Sequence, residues 1–187
     1  MTHQTLIDQF TNTAISIGAE VHFLDSPATA AELVASRIEG TLLLPSFPTG
    51  KRMKLHDALT KQGVAVVDRD FRVQAETAEA GLTGVNFALA DTGSLVLDST
   101  AEDIRLATTL PPRHFALLDP HKIVADGLAA VEPLRQLHQR AERNYIAYIS
   151  GPSRTADIER VLTIGVHGPR ELIILLVPGL STDFLEM

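Results

Sequence analysis

Three short apolar runs, each separated from the next by a stretch with helical spacing and a closing glycine, set what this chain can fold into. Leu6, Ile7, Phe10, Ala14 and Ile17 recur at intervals of three and four before Gly18, which predicts an opening amphipathic helix. The run "EVHFL" (20–24) follows as a strand, and Ser26-Pro27 opens a helix over Ala28–Ile38 that Gly40 ends. Next, "TLLLP" (41–45) reads as a buried strand, Met53, Leu55, Ala58 and Leu59 lie on a helix stopped at Gly63, and "VAVVD" is another strand. A chain that places a helix after each strand crosses back over its sheet each time, so the sheet is largely parallel.

The middle of the chain breaks that rhythm. In "GVNFALADTGSLVLDST" (84–100) two apolar runs flank Asp91-Thr92-Gly93-Ser94, a turn signal that predicts a hairpin or a bulged strand and adds an antiparallel piece. After Pro111-Pro112, "RHFALLD" is a strand. Ala125–Arg143 is helical with a kink or break at Pro133, "YIAYIS" is a strand, Thr155–Leu162 a helix and "ELIILLV" a final buried strand. No repeat or long linker divides the 187 residues, so the expectation is one domain over 1–187, α/β, with a mixed and mostly parallel sheet.

Composition narrows the function classes. With no cysteine, the chain can form no disulfide, thiolate zinc site or Cys-ligated iron–sulfur cluster, which fits a cytoplasmic setting. The net charge of -7 and the lack of a Lys/Arg run argue against nucleic acid. No signal peptide is read at "MTHQTLIDQF", and the longest apolar stretches, such as "LIILLVPGL", are too short to span a bilayer.

The densest motif is "ISGPSRTADIERVLTIGVHGP" (149–169). A hydrolase nucleophile elbow needs G-x-S-x-G, and here Thr155 stands where the last glycine belongs, so Ser153 is not read as a nucleophile. Ser153 or Thr155 instead reads as a helix cap, with Asp157 and Glu159 adding negative charge to the first turn and Ile158, Val161 and Leu162 forming the buried stripe. Arg154 does not fit that picture, because a cation at a helix N-terminus opposes the macrodipole unless an anion or a carboxylate compensates it. The loop is therefore read as an anion site, with backbone amides and Arg154 facing the carboxyl ends of the strands. Arg113 is a second candidate clamp, beside its reading as a solvated loop arginine. His167 and Asp91 are the candidate proton carriers, since a histidine titrates near neutrality and the Asp91 turn could share the same edge. No metal pattern is present. Gly50-Lys51 makes no P-loop, as Pro45 and Arg52 occupy positions that need Gly and Ser or Thr, and there is no G-x-G-x-x-G.

"GVNFALADTGSLVL", Arg105 with "LPPRHFALLDPHKIV", and "ISGPSRTADIE" followed by "GVHGP" together resemble the LUD-domain family of the lactate utilization protein C type, over Gly84–Val177. The resemblance implies a three-layer α/β/α fold similar to the ribose-phosphate isomerase, glucosamine-phosphate deaminase and CoA-transferase group. It also implies a part in bacterial oxidation of L-lactate to pyruvate beside iron–sulfur partner subunits, with no cofactor held by this chain. Relatives carry an extra helical segment in front, so this chain is expected to begin later than they do. The motif positions Thr92, Gly93, Gly151, Ser153, Arg154, Thr155, Asp157, His167 and Gly168 form the expected pocket, for a small carboxylate or phosphate, with no catalytic role carried over. Two other readings stand beside this one: a free-standing isomerase or transferase acting on a phosphorylated sugar or acyl-CoA, and an interaction module without catalysis.

Overall fold

The computed structural model describes residues 2–155 and 163–187. The chain opens with α1 (His3–Ser16), β1 (Glu20–Phe23), α2 (Pro27–Arg37) and β2 (Thr41–Leu43). It continues through α3 (Pro48–Arg52), α4 (Leu55–Lys61), β3 (Ala65–Val67), α5 (Phe71–Gln74) and β4 (Ala80–Gly84). The hairpin β5 (Phe87–Leu89) and β6 (Ser94–Asp98) precedes α6 (Glu102–Thr109), β7 (Arg113–Leu118) and a 3-10 turn at Pro120–Lys122. Then come β8 (Ile123–Val124), α7 (Val131–Gln139), β9 (Ile146–Ile149), β10 (Arg154–Thr155), β11 (Thr163–Ile164) and β12 (Glu171–Leu176).

Local chemistry explains the well-formed starts and stops. The Thr2 hydroxyl accepts from the Thr5 amide at the head of α1. Ser26 and Thr29 form a reciprocal capping box on α2, with Pro27 in its first turn, where a missing N–H costs nothing. Ile7, Phe10 and Ala14 are the buried stripe of α1, as their spacing predicts.

Six strands form a parallel sheet in the order β1-β12-β7-β4-β2-β3. Alternate residues feed opposite faces. Leu42, Leu82, Phe115, Leu117, Ile173 and Leu175 pack under α2 and α4. Ala116, Leu118, Leu172, Ile174 and Leu176 pack under α1 and the hairpin, while Leu43 meets α5 and α6. The result is the expected three-layer α/β arrangement. The antiparallel piece is present too, but it belongs to a separate small sheet, β8-β5-β6-β9, laid over one face of the parallel one.

Connections from β2 run outward to β3 through α3 and α4 on one face, and those from β4 run to β7 through the hairpin and α6 on the other. The winding direction therefore reverses between β2 and β4, which opens a crevice at their carboxyl ends. Two helix expectations change. The helix expected over Ala125–Arg143 begins only at Val131, which puts Pro133 in the first turn, where it neither kinks nor breaks anything. Thr155, the first residue of the expected Thr155–Leu162 helix, instead forms with Arg154 a short antiparallel strand, with Arg154 opposite Ile164 and Thr155 opposite Thr163. The rest of that helix, 156–162, lies outside the described residues.

Candidate functional site

The Asp91–Ser94 turn and the Ser150–Arg154 loop are neighbours. The β6–β9 register pairs Leu95 with Ile149, and the Ser94 and Ser150 hydroxyls meet at 2.6 Å where the two strands end. Both turns then close on the second half of α1. A Cβ on Gly93 would stand 2.6 Å from the Ala14 nitrogen, and one on Gly151 would stand 2.6 Å from the Ile17 carbonyl oxygen. Those distances exclude any side chain unless the helix moves.

Arg154 finds its explanation here. Its Nη2 donates to the carbonyl oxygen of Ile17, the residue that ends α1, and its guanidinium lies over Gly18. It is thus a cation at a helix C-terminus, where the macrodipole is negative and carbonyls lack partners. The helix it serves is remote in sequence from the one expected to follow it.

Ser153 is not a helix cap, since extended backbone follows it. Its amide donates to the Pro169 carbonyl at 2.8 Å, and its own carbonyl accepts from the Gly165 amide at 2.9 Å. Gly168 closes onto its side chain, a Cβ there falling 3.0 Å from the Ser153 Cβ. The Ser153 amide expected to face an anion is therefore occupied by backbone. Asp157 lies outside the described residues.

Between Ser150–Ser153 and His167–Pro169 runs a cleft of about 320 Å³, with the end of α6 as its third wall. An adjoining hollow of about 450 Å³ shares His167 and Gly168 and adds Arg170. His167 is exposed. At the other extreme is His114, a cleft-lining residue with 0% exposure. Its Nε2 lies 2.9 Å from the Thr83 hydroxyl, and its Nδ1 is buried without a partner among the described residues. Burial pulls this imidazole down to about 4, so it is neutral at physiological pH.

The cleft lies at the amino ends of β7 and β12, not at the carboxyl ends anticipated for the loop. The physical reason is that β9, which delivers the loop, belongs to the small sheet rather than the parallel one. Gly151, Ser153, His167 and Gly168 line this cleft. Thr155, Asp91 and Thr92 do not line it among the described residues, and Asp91 and Thr92 are exposed.

Arg113 is engaged elsewhere. It bonds Glu171 through two nitrogens at 2.7 and 3.1 Å, reaches Glu79 at 3.2 Å, and donates to the Arg37 carbonyl at 2.5 Å. The Glu171 hydrogen bond leads in raising the Arg113 guanidinium above its ordinary range. Glu79 is held low by the Gly40 and Glu39 amides and by Arg113. The pair ties strand starts together and leaves no open fork for a ligand.

The buried polar residues His114, Thr83, Asp119 and Lys122 were not anticipated. Nothing in "RHFALLDPHK" distinguishes a buried histidine or lysine from an exposed one, because no periodicity marks a strand covered on both faces.

Comparisons with known proteins give a consistent picture. The family model described as "LUD domain" matches residues 7–177. A protein of Bacillus subtilis (strain 168) named "Lactate utilization protein C" is 30% identical over 187 residues, covering 92% of this chain and 78% of that one. An uncharacterized protein of Neisseria meningitidis serogroup B is 40% identical over 99 residues, 53% of this chain and 42% of that protein, so the chain matches less than half of that relative's length. The crystal structure of a DUF162 family protein from Deinococcus radiodurans superposes with a TM-score of 0.65 at 19% identity, covering 95% of this chain and 99% of that one, which establishes the shared fold.

Proposed function

The chain belongs to the LUD domain family, and from that premise we propose that it serves bacterial use of L-lactate as a cytoplasmic subunit without redox chemistry of its own, beside iron–sulfur partner proteins. The observation that carries this reading is the match over residues 7–177, together with the name of the Bacillus subtilis relative. The composition supports the division of labour: a chain with 0 cysteines supplies no thiolate to a cluster, so a thiolate-ligated cluster belongs to the partners.

In this reading the Ser153–His167 cleft takes a small carboxylate or phosphate. His114 supplies the reason. When Thr83 donates to its Nε2, the Nδ1 carries the proton and meets no acceptor among the described residues, and such a buried donor costs free energy until a ligand oxygen completes it. Ser153 and His167 line the same cleft, and Arg170 lines the hollow that adjoins it through His167.

Two experiments test the two halves separately. Mixed with the iron–sulfur subunits, the protein should co-elute with them and raise lactate-dependent electron transfer. If it does neither, the subunit role is wrong. Thermal unfolding against L-lactate, pyruvate and inorganic phosphate should show stabilisation by one of them, about 2.7 kcal/mol at about a hundred times Kd, that disappears in His114→Phe. A shift that survives His114→Phe unchanged would remove the ligand from this cleft.

A further inference from the structure

The crevice at the carboxyl ends of β2 and β4 lies at the opposite edge of the sheet from the Ser153 cleft, and it is where an open α/β sheet offers a ligand its best seat. In this chain the segment Leu180–Met187 fills it. The Met187 carbonyl accepts from the Thr49 amide at 3.0 Å, the Phe184 carbonyl accepts from the Asn86 side chain at 3.1 Å, and the Ser181 amide donates to Asp119 at 3.2 Å. The fit is close, since a Cβ on Gly84 would stand 2.7 Å from the Met187 carbonyl carbon.

This segment brings one carboxylate into a set of donors that the sheet edge already provides. Glu186 Oε1 accepts from the Thr49 hydroxyl at 2.8 Å and pairs with Arg52 Nη1 at 2.5 Å, while Oε2 accepts from the Ser181 hydroxyl at 3.0 Å. The Arg52 and Thr49 donors come from α3, directly after β2, and only Ser181 belongs to the segment itself.

Lys122 stands at the bottom of the same crevice with 2% exposure. Its Nζ donates to the Val85 carbonyl at 2.8 Å and to the Glu186 backbone carbonyl at 2.6 Å. Among the described residues no carboxylate comes within ion-pair distance of it. Burial leads in pulling this ammonium down to about 8, against the opposing pull of the Asp119, Glu186 and Asp183 charges, none of them in direct contact with it. One of its two acceptors is supplied by the segment, so displacing Glu186 turns the ammonium toward whatever replaces it.

We propose that Thr49, Arg52 and Lys122 form a binding site for a small carboxylate, which the Glu186 side chain occupies in this structure as a resident substitute. The group that these donors hold in this structure is a carboxylate, with Thr49 and Arg52 both on its Oε1, and the ligand class is taken from it. An incoming acid places its carboxylate on Arg52 and Thr49 and its remaining polar end toward Lys122. The site competes with its own chain, so occupancy depends on ligand concentration.

Calorimetric titration of pyruvate and acetate into the wild type and Glu186→Ala tests this. Removing the competing carboxylate should tighten binding about tenfold or more, and adding Lys122→Met or Arg52→Ala to Glu186→Ala should reverse the gain. Arg52 is half-exposed, so its variant keeps the fold if Lys122→Met does not. In the wild type, saturating pyruvate should speed amide exchange in 181–187. Unchanged affinity in Glu186→Ala, a gain indifferent to both second substitutions, or tighter binding of inorganic phosphate than of either acid would overturn the proposal. None of these results bears on the subunit role, and carrying out the His114→Phe comparison in the Arg52→Ala background keeps binding at this site out of the readout for the Ser153 cleft.

Discussion

Replacing Gly151 with alanine separates the two reasons a glycine can be needed. Gly151 has φ +82°, and its missing Cβ would meet the Ile17 carbonyl oxygen at 2.6 Å. Gly63 has nearly the same backbone, φ +85°, with nothing within 4 Å. Gly63→Ala therefore reports left-handed strain alone, about 1–2 kcal/mol, offset by about 0.4–1 kcal/mol from the stiffer unfolded chain. Its net cost is about 1 kcal/mol. Gly151→Ala carries the same strain plus the overpacking of a methyl group against the end of α1, typically about 1–3 kcal/mol. The total is about 2–4 kcal/mol, and the excess over Gly63→Ala measures how firmly the GPS loop clasps α1. Urea unfolding of the two variants is the assay. At a slope of about 2 kcal/mol per molar the midpoints should differ by roughly 0.5–1.5 M. Equal midpoints would refute the claim that the loop is shaped by helix packing.

Other perturbations follow from the same structure. Arg154→Ala removes a cation from the C-terminus of α1 and should cost about 1 kcal/mol or less, given its exposure, seen as a modest fall in Tm. A larger loss would mean that Arg154 holds more than the Ile17 carbonyl. His114 is depressed from 6.5 to about 4, so the unfolded chain binds more protons between those values; stability is present above 6.5 and declines as pH falls toward 4. His114→Phe should flatten that part of the pH profile, and an unchanged profile would place the titration elsewhere. Lys122 is depressed from 10.5 to about 8, so its penalty is fully present below 8 and is relieved as pH rises toward 10.5. The wild type should therefore gain on Lys122→Met by a few kcal/mol across that window, by urea unfolding at each pH, and a constant difference would mean an ordinary lysine.

Much of the fold was legible where local and global preferences agree. The amphipathic α1, the capped α2 and the three short N-terminal strands follow from spacing, Ser26-Pro27 and the closing glycines. The least legible strand is β4, at the centre of the sheet. Its sequence, Ala80-Gly-Leu-Thr-Gly84, has weak strand character because both faces are crowded: a Cβ on Gly81 would lie 2.0 Å from the Ala107 carbonyl of α6. The same crowding hid α6, whose docking on β4 depends on that glycine.

The sequence by itself determined the alternation that makes the sheet parallel, the hairpin at Asp91–Ser94, and the exclusion of cysteine chemistry. It also marked Gly151, Ser153, His167 and Gly168 as a constrained cluster, which one cleft gathers. Only the tertiary structure decided what those residues touch. Arg154 caps a helix that ends 137 positions away, Gly93 and Gly151 are small because the same helix lies against them, and Arg113 is neutralised by Glu79 and Glu171. Periodicity reports how each element faces its own layer, within a few residues. Which charge meets which carbonyl, and which lysine is buried, depends on strands brought together across the whole chain, and no local pattern encodes that pairing.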